Sequence, residues 1–200
     1  MELALMAGFG AYLLGSFPAG YLVGRLWGVD VLARGSGRTG GTNVFRSVGL
    51  APALLTGALD IGKRAAAVWL AGRISSQPSL EVLAGAAAIL GHNYSIFLRF
   101  RGGAGVATSL GALGAIYLPA AIGLVILLLA LVAITRYASL GSLIVITLMP
   151  ILLLILGIAG ISALTYTLYG LLAWILVVYA HRPNIRRLLA GTERRIGEKG

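Results

Sequence analysis

Twelve residues hold the densest chemistry in this chain: Gly35-Ser36-Gly37-Arg38-Thr39-Gly40-Gly41-Thr42-Asn43-Val44-Phe45-Arg46. Four glycines fall in the first seven positions and let the backbone turn through positive φ without steric cost. Turns of that kind aim several N–H groups at one point and cradle an anion. Ser36, Thr39, Thr42 and Asn43 add short hydrogen-bonding side chains. Arg38 and Arg46 add charge, and a guanidinium grips phosphate through two parallel hydrogen bonds. A plain basic loop needs neither Thr42-Asn43 nor so many glycines.

Three other segments carry similar residue types. Gly91-His92-Asn93 precedes a second basic, glycine-rich run, Arg99-Phe100-Arg101-Gly102-Gly103-Ala104-Gly105, which leads to Thr108 and Ser109. A glycine turn ahead of a helix presents N–H groups and the positive end of the helix dipole to an anion. In Thr135-Arg136-Tyr137-Ala138-Ser139-Leu140-Gly141-Ser142, the serines stand three apart and share one helical face. His181-Arg182-Pro183-Asn184-Ile185-Arg186-Arg187 supplies the second of two histidines. By residue type alone, His92 reads equally as a buried histidine bonded to a carbonyl, and the serines as small residues at a helix interface. There is no cysteine, which excludes disulfides, thiolate nucleophiles and cysteine-held metals. No HExxH pattern, Walker loop or spaced carboxylate pair is present, so no metal or cofactor is expected. These residues spell anion binding, which an enzyme and a transporter for phosphorylated or lipid anions would share. No pair of broken spans in inverted repeat favours the transporter.

The elements that must position these segments are membrane helices. The chain has 200 residues, 58% hydrophobic and only 11% charged, with mean hydropathy +0.94. That composition excludes an ordinary soluble globule. Spans are expected near Leu3–Gly24, Ala58–Arg73, Leu80–Leu98, Ser139–Gly157 and Ile161–Ala180. The first should kink or pack closely around Gly15, Ser16, Pro18 and Gly20. Residues 47–59 are either an interfacial helix or the start of a span. The opening Met1-Glu2-Leu3 lacks a basic region, so the first apolar run is expected to be a mature span rather than a signal peptide. Asp60, Lys63 and Arg64 lie three and four apart and should pair or face the site. Ala104–Ile134 carries no charge over 31 residues and would measure about 46 Å as one helix, against a hydrocarbon core of about 30 Å. It is either one steeply tilted helix or two shorter ones divided at Tyr117-Leu118-Pro119.

Charge favours two. A seven-helix, all-α bundle puts thirteen of the sixteen Lys and Arg residues on one face. Four lie in the first loop, two in the second, one at Arg136 and six in the tail. The positive-inside rule makes that face cytoplasmic, with the N-terminus outside and the C-terminus in the cytoplasm. The net charge of +10 is then a matter of topology, and no nucleic-acid partner is expected.

Taken in order, these stretches resemble the bacterial acyl-phosphate:glycerol-3-phosphate acyltransferase family. The resemblance rests on Gly15-Ser16-Phe17-Pro18, Gly35–Arg46, Gly91-His92-Asn93 with Phe97, Gly102-Gly103 with Gly105–Thr108, Arg136 with Ser139, and His181–Leu188 with Gly191-Thr192-Glu193. It implies a single membrane-embedded domain over residues 1–200, with its site on the cytoplasmic side of the cell membrane. The implied reaction moves a fatty acyl group from long-chain acyl phosphate to the sn-1 hydroxyl of glycerol 3-phosphate, giving lysophosphatidic acid and phosphate. That is the first step of phospholipid synthesis, with membrane lipid as surroundings and no cofactor.

Carried onto this chain, the resemblance makes Ser36, Gly37, Gly40, Gly41, Thr42 and Asn43 a phosphate cradle. Arg46 joins them in substrate binding. His181, Asn184 and Ser142 hold glycerol 3-phosphate and act as the catalytic set. His92, Arg101, Gly102, Gly103, Thr108 and Ser139 complete the substrate-binding candidates. Either His181 or the donor's own phosphate accepts the hydroxyl proton; the second is favoured because no histidine–carboxylate pair is evident in the sequence. One departure stands out. The family usually has Lys-Gly-Gly-Lys-Gly where this chain has Arg101-Gly102-Gly103-Ala104-Gly105, so one cation is missing. Arg99, Arg38 and Lys63 are the candidates to replace it.

Overall fold

The computed structural model describes residues 2–197, which form ten α-helices, one short 3₁₀ turn and no strand. Lys199 of the basic tail lies outside the described residues. The expected first span divides into α1 (Glu2–Ser16) and α2 (Ala19–Leu26). Pro18 stands at the break, where its missing N–H and fixed ring interrupt the helical ladder. α3 (Gly41–Ser47) begins inside the first polar loop. α4 (Leu50–Ile74) is one helix of 25 residues, so most of 47–59 is the start of a long helix, not a separate interfacial one. Pro52 sits in its first turn, where no intrahelical bond is lost.

α5 (Pro78–Asn93) ends five residues before the expected Leu98. The chain turns back instead through a 3₁₀ turn at Ile96–Leu98, with Arg99 and Phe100 at positive φ. Phe100 N donates to Ser95 O and Arg101 N to Leu98 O, closing the turn. The long uncharged stretch does break. α6 (Val106–Ile116) and α7 (Leu118–Thr135) are separated by Tyr117 in an extended conformation. Pro119 explains the break, because its ring would clash with a carbonyl of a continuous helix. α8 (Ala138–Ile158), α9 (Tyr166–Ala180) and α10 (Arg182–Leu189) follow.

Among the described residues, three stretches are long and apolar enough to cross a membrane: 2–26, Leu118–Thr135 and Ala138–Ile158. α6 and α9 are apolar but shorter. The main core lies among α6, α7, α8 and α9, with Leu113, Ile146, Met149, Leu153, Tyr169 and Val177 buried, and takes in Val68 of α4 and Ile89 of α5. A smaller seam of alanines, Ala11, Ala67, Ala71, Ala84 and Ala88, joins α1, α4 and α5. Contact there is close enough that a Cβ on Gly15 would overlap the Ala88 backbone. Small residues permit the approach that membrane helices need, since lipid supplies no hydrophobic drive for their association. The burial pattern is inverted relative to a soluble protein. Arg64 is 0% exposed and Asp60 2%, while Ile134 is 81% and Ile158 75% exposed. Such a surface suits hydrocarbon, with the ionic groups turned inward.

Candidate active site

The buried charges of α4 form the floor of the site. Asp60 and Arg64 share a helix face, as their spacing requires, with Arg64 Nη1 3.9 Å from Asp60 Oδ1. Lys63 Nζ lies 2.7 Å from the same oxygen. Arg64 also donates to Ala88 O, Asp60 O and Gly15 O, fastening α4 to α5 and α1. A buried cation with these partners is tolerable; one left alone in such a place would not be. The fold also supplies a histidine–carboxylate pair that the sequence did not reveal: His92 Nδ1 lies 3.5 Å from Asp60 Oδ1.

The two glycine-rich loops meet above this floor. Thr39 N donates to Gly102 O, and Gly103 N to His92 O. Arg101 reaches across to Leu32 O. Gly103 is required by contact, since a Cβ there would collide with the His92 imidazole. Asn43 organises the first loop. Its Oδ1 accepts from Ser36 N, and its Nδ2 donates to Val31 O, Arg34 O and Arg38 O. Its amide is therefore occupied within the loop, which it holds in shape.

The C-terminal segment folds against the same place. Glu193 Oε1 accepts from Ser139 Oγ and Asn184 Nδ2, each at 2.8 Å, and Glu193 Oε2 accepts from Arg187 Nε at 2.7 Å. Burial opposes ionisation of Glu193, but the bonds from Asn184, Ser139 and Arg187 outweigh it and hold the carboxyl below its usual range. Arg38 donates to Asn184 Oδ1 and to Ala180 O. His181 follows the last turn of α9, and its Nδ1 is 2.8 Å from Val177 O. A carbonyl only accepts, so Nδ1 carries the proton and Nε2 is the bare nitrogen. Burial is the chief cause that pushes the His181 pKa down to about 4, with the Arg38 charge adding to it.

These groups enclose a cavity of about 220 Å³. Ser36, Gly40, Gly41, Thr42, Asn43, Arg46, His92, Ser139, Ser142, His181 and Asn184 line it, as do Arg38, Asp60, Ala104 and Glu193. Gly105, Val106 and Ala107 bring the start of α6 to the wall, where the first N–H groups of a helix have no intrahelical acceptor. Gly37, Arg101, Gly102, Gly103 and Thr108 are not in the lining. Arg101 is turned to Leu32, and Gly102 and Gly103 back the His92 segment. Thr108 is fully buried within α6. Of the three cations considered as replacements at position 104, Arg38 alone is in the lining. Lys63 is engaged by Asp60 below it. Asp60, expected to pair or face the site, does both, while Glu193 was missed as a lining residue. Glu193 left one trace, as one of two acids in a strongly basic tail.

A second, apolar cavity of about 540 Å³ continues along the same two helices. Ile61, Ala65 and Trp69 of α4 face Leu110, Gly114 and Ala115 of α6, with Ile122 and Val125 of α7 closing one side. A polar cavity fit for anions and an apolar one fit for a hydrocarbon tail are thus lined by successive stretches of the same helices.

The family model described as "Glycerol-3-phosphate acyltransferase" matches residues 5–191. A glycerol-3-phosphate acyltransferase of Synechococcus sp. (strain JA-3-3Ab) is 47% identical over 197 residues, covering 98% of this chain and 95% of the relative. Glycerol-3-phosphate acyltransferase 1 of Deinococcus radiodurans is 42% identical over 196 residues, covering 98% and 97%. The crystal structure of PlsY (YgiH), an integral membrane glycerol 3-phosphate acyltransferase, in its glycerol 3-phosphate form superposes with a TM-score of 0.87 at 35% identity, covering 97% of this chain and 96% of that one. Its lysophosphatidic acid form gives a TM-score of 0.86 at the same identity, covering 97% and 95%.

Proposed function

The chain belongs to the glycerol-3-phosphate acyltransferase family, and from that membership we propose that it transfers a fatty acyl group from acyl phosphate to the sn-1 hydroxyl of glycerol 3-phosphate. The products are lysophosphatidic acid and inorganic phosphate. The observation that supports this most is a polar and an apolar cavity lined by successive stretches of the same helices. Four polar segments far apart in sequence converge on the smaller one, and α4 and α6 continue from it into the larger. Two phosphate-bearing headgroups would occupy the first, and the acyl tail would lie along the second. Solved relatives in forms with glycerol 3-phosphate and lysophosphatidic acid agree with that occupancy.

In this reading the first loop and the start of α6 hold the acyl phosphate, while Arg46, Ser142, His181 and Asn184 hold glycerol 3-phosphate. The sn-1 oxygen attacks the acyl carbon, the bond from that carbon to the phosphate oxygen breaks, and phosphate departs. The hydroxyl proton goes to the departing phosphate. A histidine whose pKa lies near 4 is a weak base at neutral pH, whereas a phosphate ester's second ionisation lies at about 6. Efficiency in proton transfer follows that difference. His181 then serves by orientation, and the activated mixed anhydride needs alignment and charge stabilisation above all.

The reading includes seven membrane crossings, the N-terminus outside and the site on the cytoplasmic side. The distribution of Lys and Arg supports it. The test is turnover by purified protein in detergent micelles given palmitoyl phosphate and glycerol 3-phosphate. Release of lysophosphatidate is expected. Uptake of glycerol 3-phosphate into reconstituted vesicles with no acylation would identify a transporter instead.

A further inference from the structure

Four Arg, Asp or Glu residues line the polar cavity: Arg38, Arg46, Asp60 and Glu193. The two carboxylates are already matched by cations outside the lining. Lys63 Nζ lies 2.7 Å from Asp60, and Arg187 Nε lies 2.7 Å from Glu193. Arg38 forms no ion pair with a carboxylate among the described residues; its two hydrogen bonds go to neutral oxygens, Asn184 Oδ1 and Ala180 O. A guanidinium offers five N–H donors in a planar fork, so donors remain for a further acceptor. Ala180 O belongs to the last turn of α9, the negative end of that helix dipole, which fixes the cation where it stands. Ala104, on the facing glycine-rich loop, lines the same cavity and carries no charge.

We infer that Arg38 is a substrate-binding residue, which reaches over from the first loop to hold the phosphate dianion of glycerol 3-phosphate beside Asn184. This rests on the acyltransferase reading above and adds to it the residue that selects a phosphorylated acceptor. Burial, with the nearby Arg187 charge, lowers the Arg38 pKa against the opposing pull of Glu193, and the charge of a bound dianion offsets that lowering. The first loop provides at Arg38 the cation that the second loop lacks at Ala104.

The experiment compares the unaltered protein, Arg38→Gln, Ala104→Lys and the double variant, all in detergent micelles. Two quantities are read: direct binding of radiolabelled glycerol 3-phosphate, and the separate KM values for the two substrates. Loss of one charge-assisted phosphate contact should raise the Kd and KM for glycerol 3-phosphate about 10- to 100-fold in Arg38→Gln. The KM for palmitoyl phosphate should stay within about twofold. Adding Ala104→Lys to Arg38→Gln should recover about tenfold or more of the lost affinity, since any cation in the cavity answers the same charge. A purely structural Arg38, one that only braces Asn184, would lower kcat and gain nothing from a lysine at 104. The inference is overturned by unchanged glycerol 3-phosphate binding in Arg38→Gln, by a loss confined to palmitoyl phosphate, or by absence of rescue. If the unaltered protein forms no lysophosphatidate, the acyltransferase reading fails instead. The binding arm still decides the role of Arg38.

Discussion

Glu193 provides a measurable test of how the C-terminal segment supports the site. Its carboxylate takes three hydrogen bonds, two of them from Ser139 and Asn184 in the cavity wall, and its side chain is 3% exposed. Glu193→Ala strands both of those donors. A bond to a charged acceptor contributes roughly 1.5–3 kcal/mol, and the half-exposed Arg187 pair adds at most about 1 kcal/mol. The part felt in the reaction is the part transmitted by Asn184, whose amide is held by Glu193 on one side and Arg38 on the other. Glu193→Ala should therefore lower kcat/KM by about 100-fold, roughly 3 kcal/mol. Glu193→Gln can keep its oxygen toward Ser139 and Asn184, while its NH₂ cannot accept from Arg187 Nε and the half-exposed Arg187 turns to solvent, at a cost of about fivefold. Lysophosphatidate formation gives the rates, and the Tm in detergent confirms that each variant is folded. In a double-mutant cycle, Asn184→Ala combined with Glu193→Ala should be little worse than Asn184→Ala alone. Additive losses, or a Glu193→Ala rate within about threefold of the unaltered protein, would refute the coupling.

Three other outcomes are expected. Folded His181 takes up a proton only near pH 4, against its ordinary 6.5, so the unfolded chain binds more protons between those values and stability falls as the pH drops from 6.5 to 4. The loss is on the order of 3 kcal/mol, and a Tm-versus-pH series should flatten in that window in His181→Gln. Ala66 lines the apolar cavity, so Ala66→Phe should raise the KM for palmitoyl phosphate but not for an eight-carbon acyl phosphate, at about 0.8 kcal/mol per methylene displaced; equal effects on both would remove the tail from this groove. Because the chain has no cysteine, single cysteines can report topology. Ser76→Cys should react with an impermeant thiol reagent from outside intact cells, and Arg34→Cys only after lysis, whereas the reverse pattern would invert the proposed orientation.

Much of the site was legible because its chemistry is local. The Asn43 amide bonds backbone groups within twelve residues, so a glycine-rich loop with Thr42-Asn43 announces its own shape. The pairing of Asp60 with Arg64 follows from one helical turn, and the kink after α1 from Pro18. What could not be read depends on contacts between distant segments. Arg38 and Asn184 are 146 residues apart, and Ser139 and Glu193 54 apart. Spacing within one helix says nothing about such meetings, nor about the approach of His92 to Asp60. The end of α5 was misjudged because Tyr94–Leu98 is apolar enough to continue a helix. Its backbone is drawn away by tertiary bonds, Ser95 Oγ to Ser16 O among them. The break at Tyr117 was legible through charge and Pro119 alone, since hydropathy is the same on both sides and only two spans put the Arg99–Arg101 loop and Arg136 on one face.

Acyl transfer with departure of the donor's phosphate is tested most directly with two labels in one reaction. Palmitoyl phosphate labelled with ³²P and glycerol 3-phosphate labelled with ¹⁴C are supplied together to the purified protein. The reaction proposed here predicts that ³²P appears only in inorganic phosphate, in equal amount to the ¹⁴C that appears in lysophosphatidic acid. Release of ³²P with no ¹⁴C in lipid, or ³²P retained in the lipid product, would contradict it.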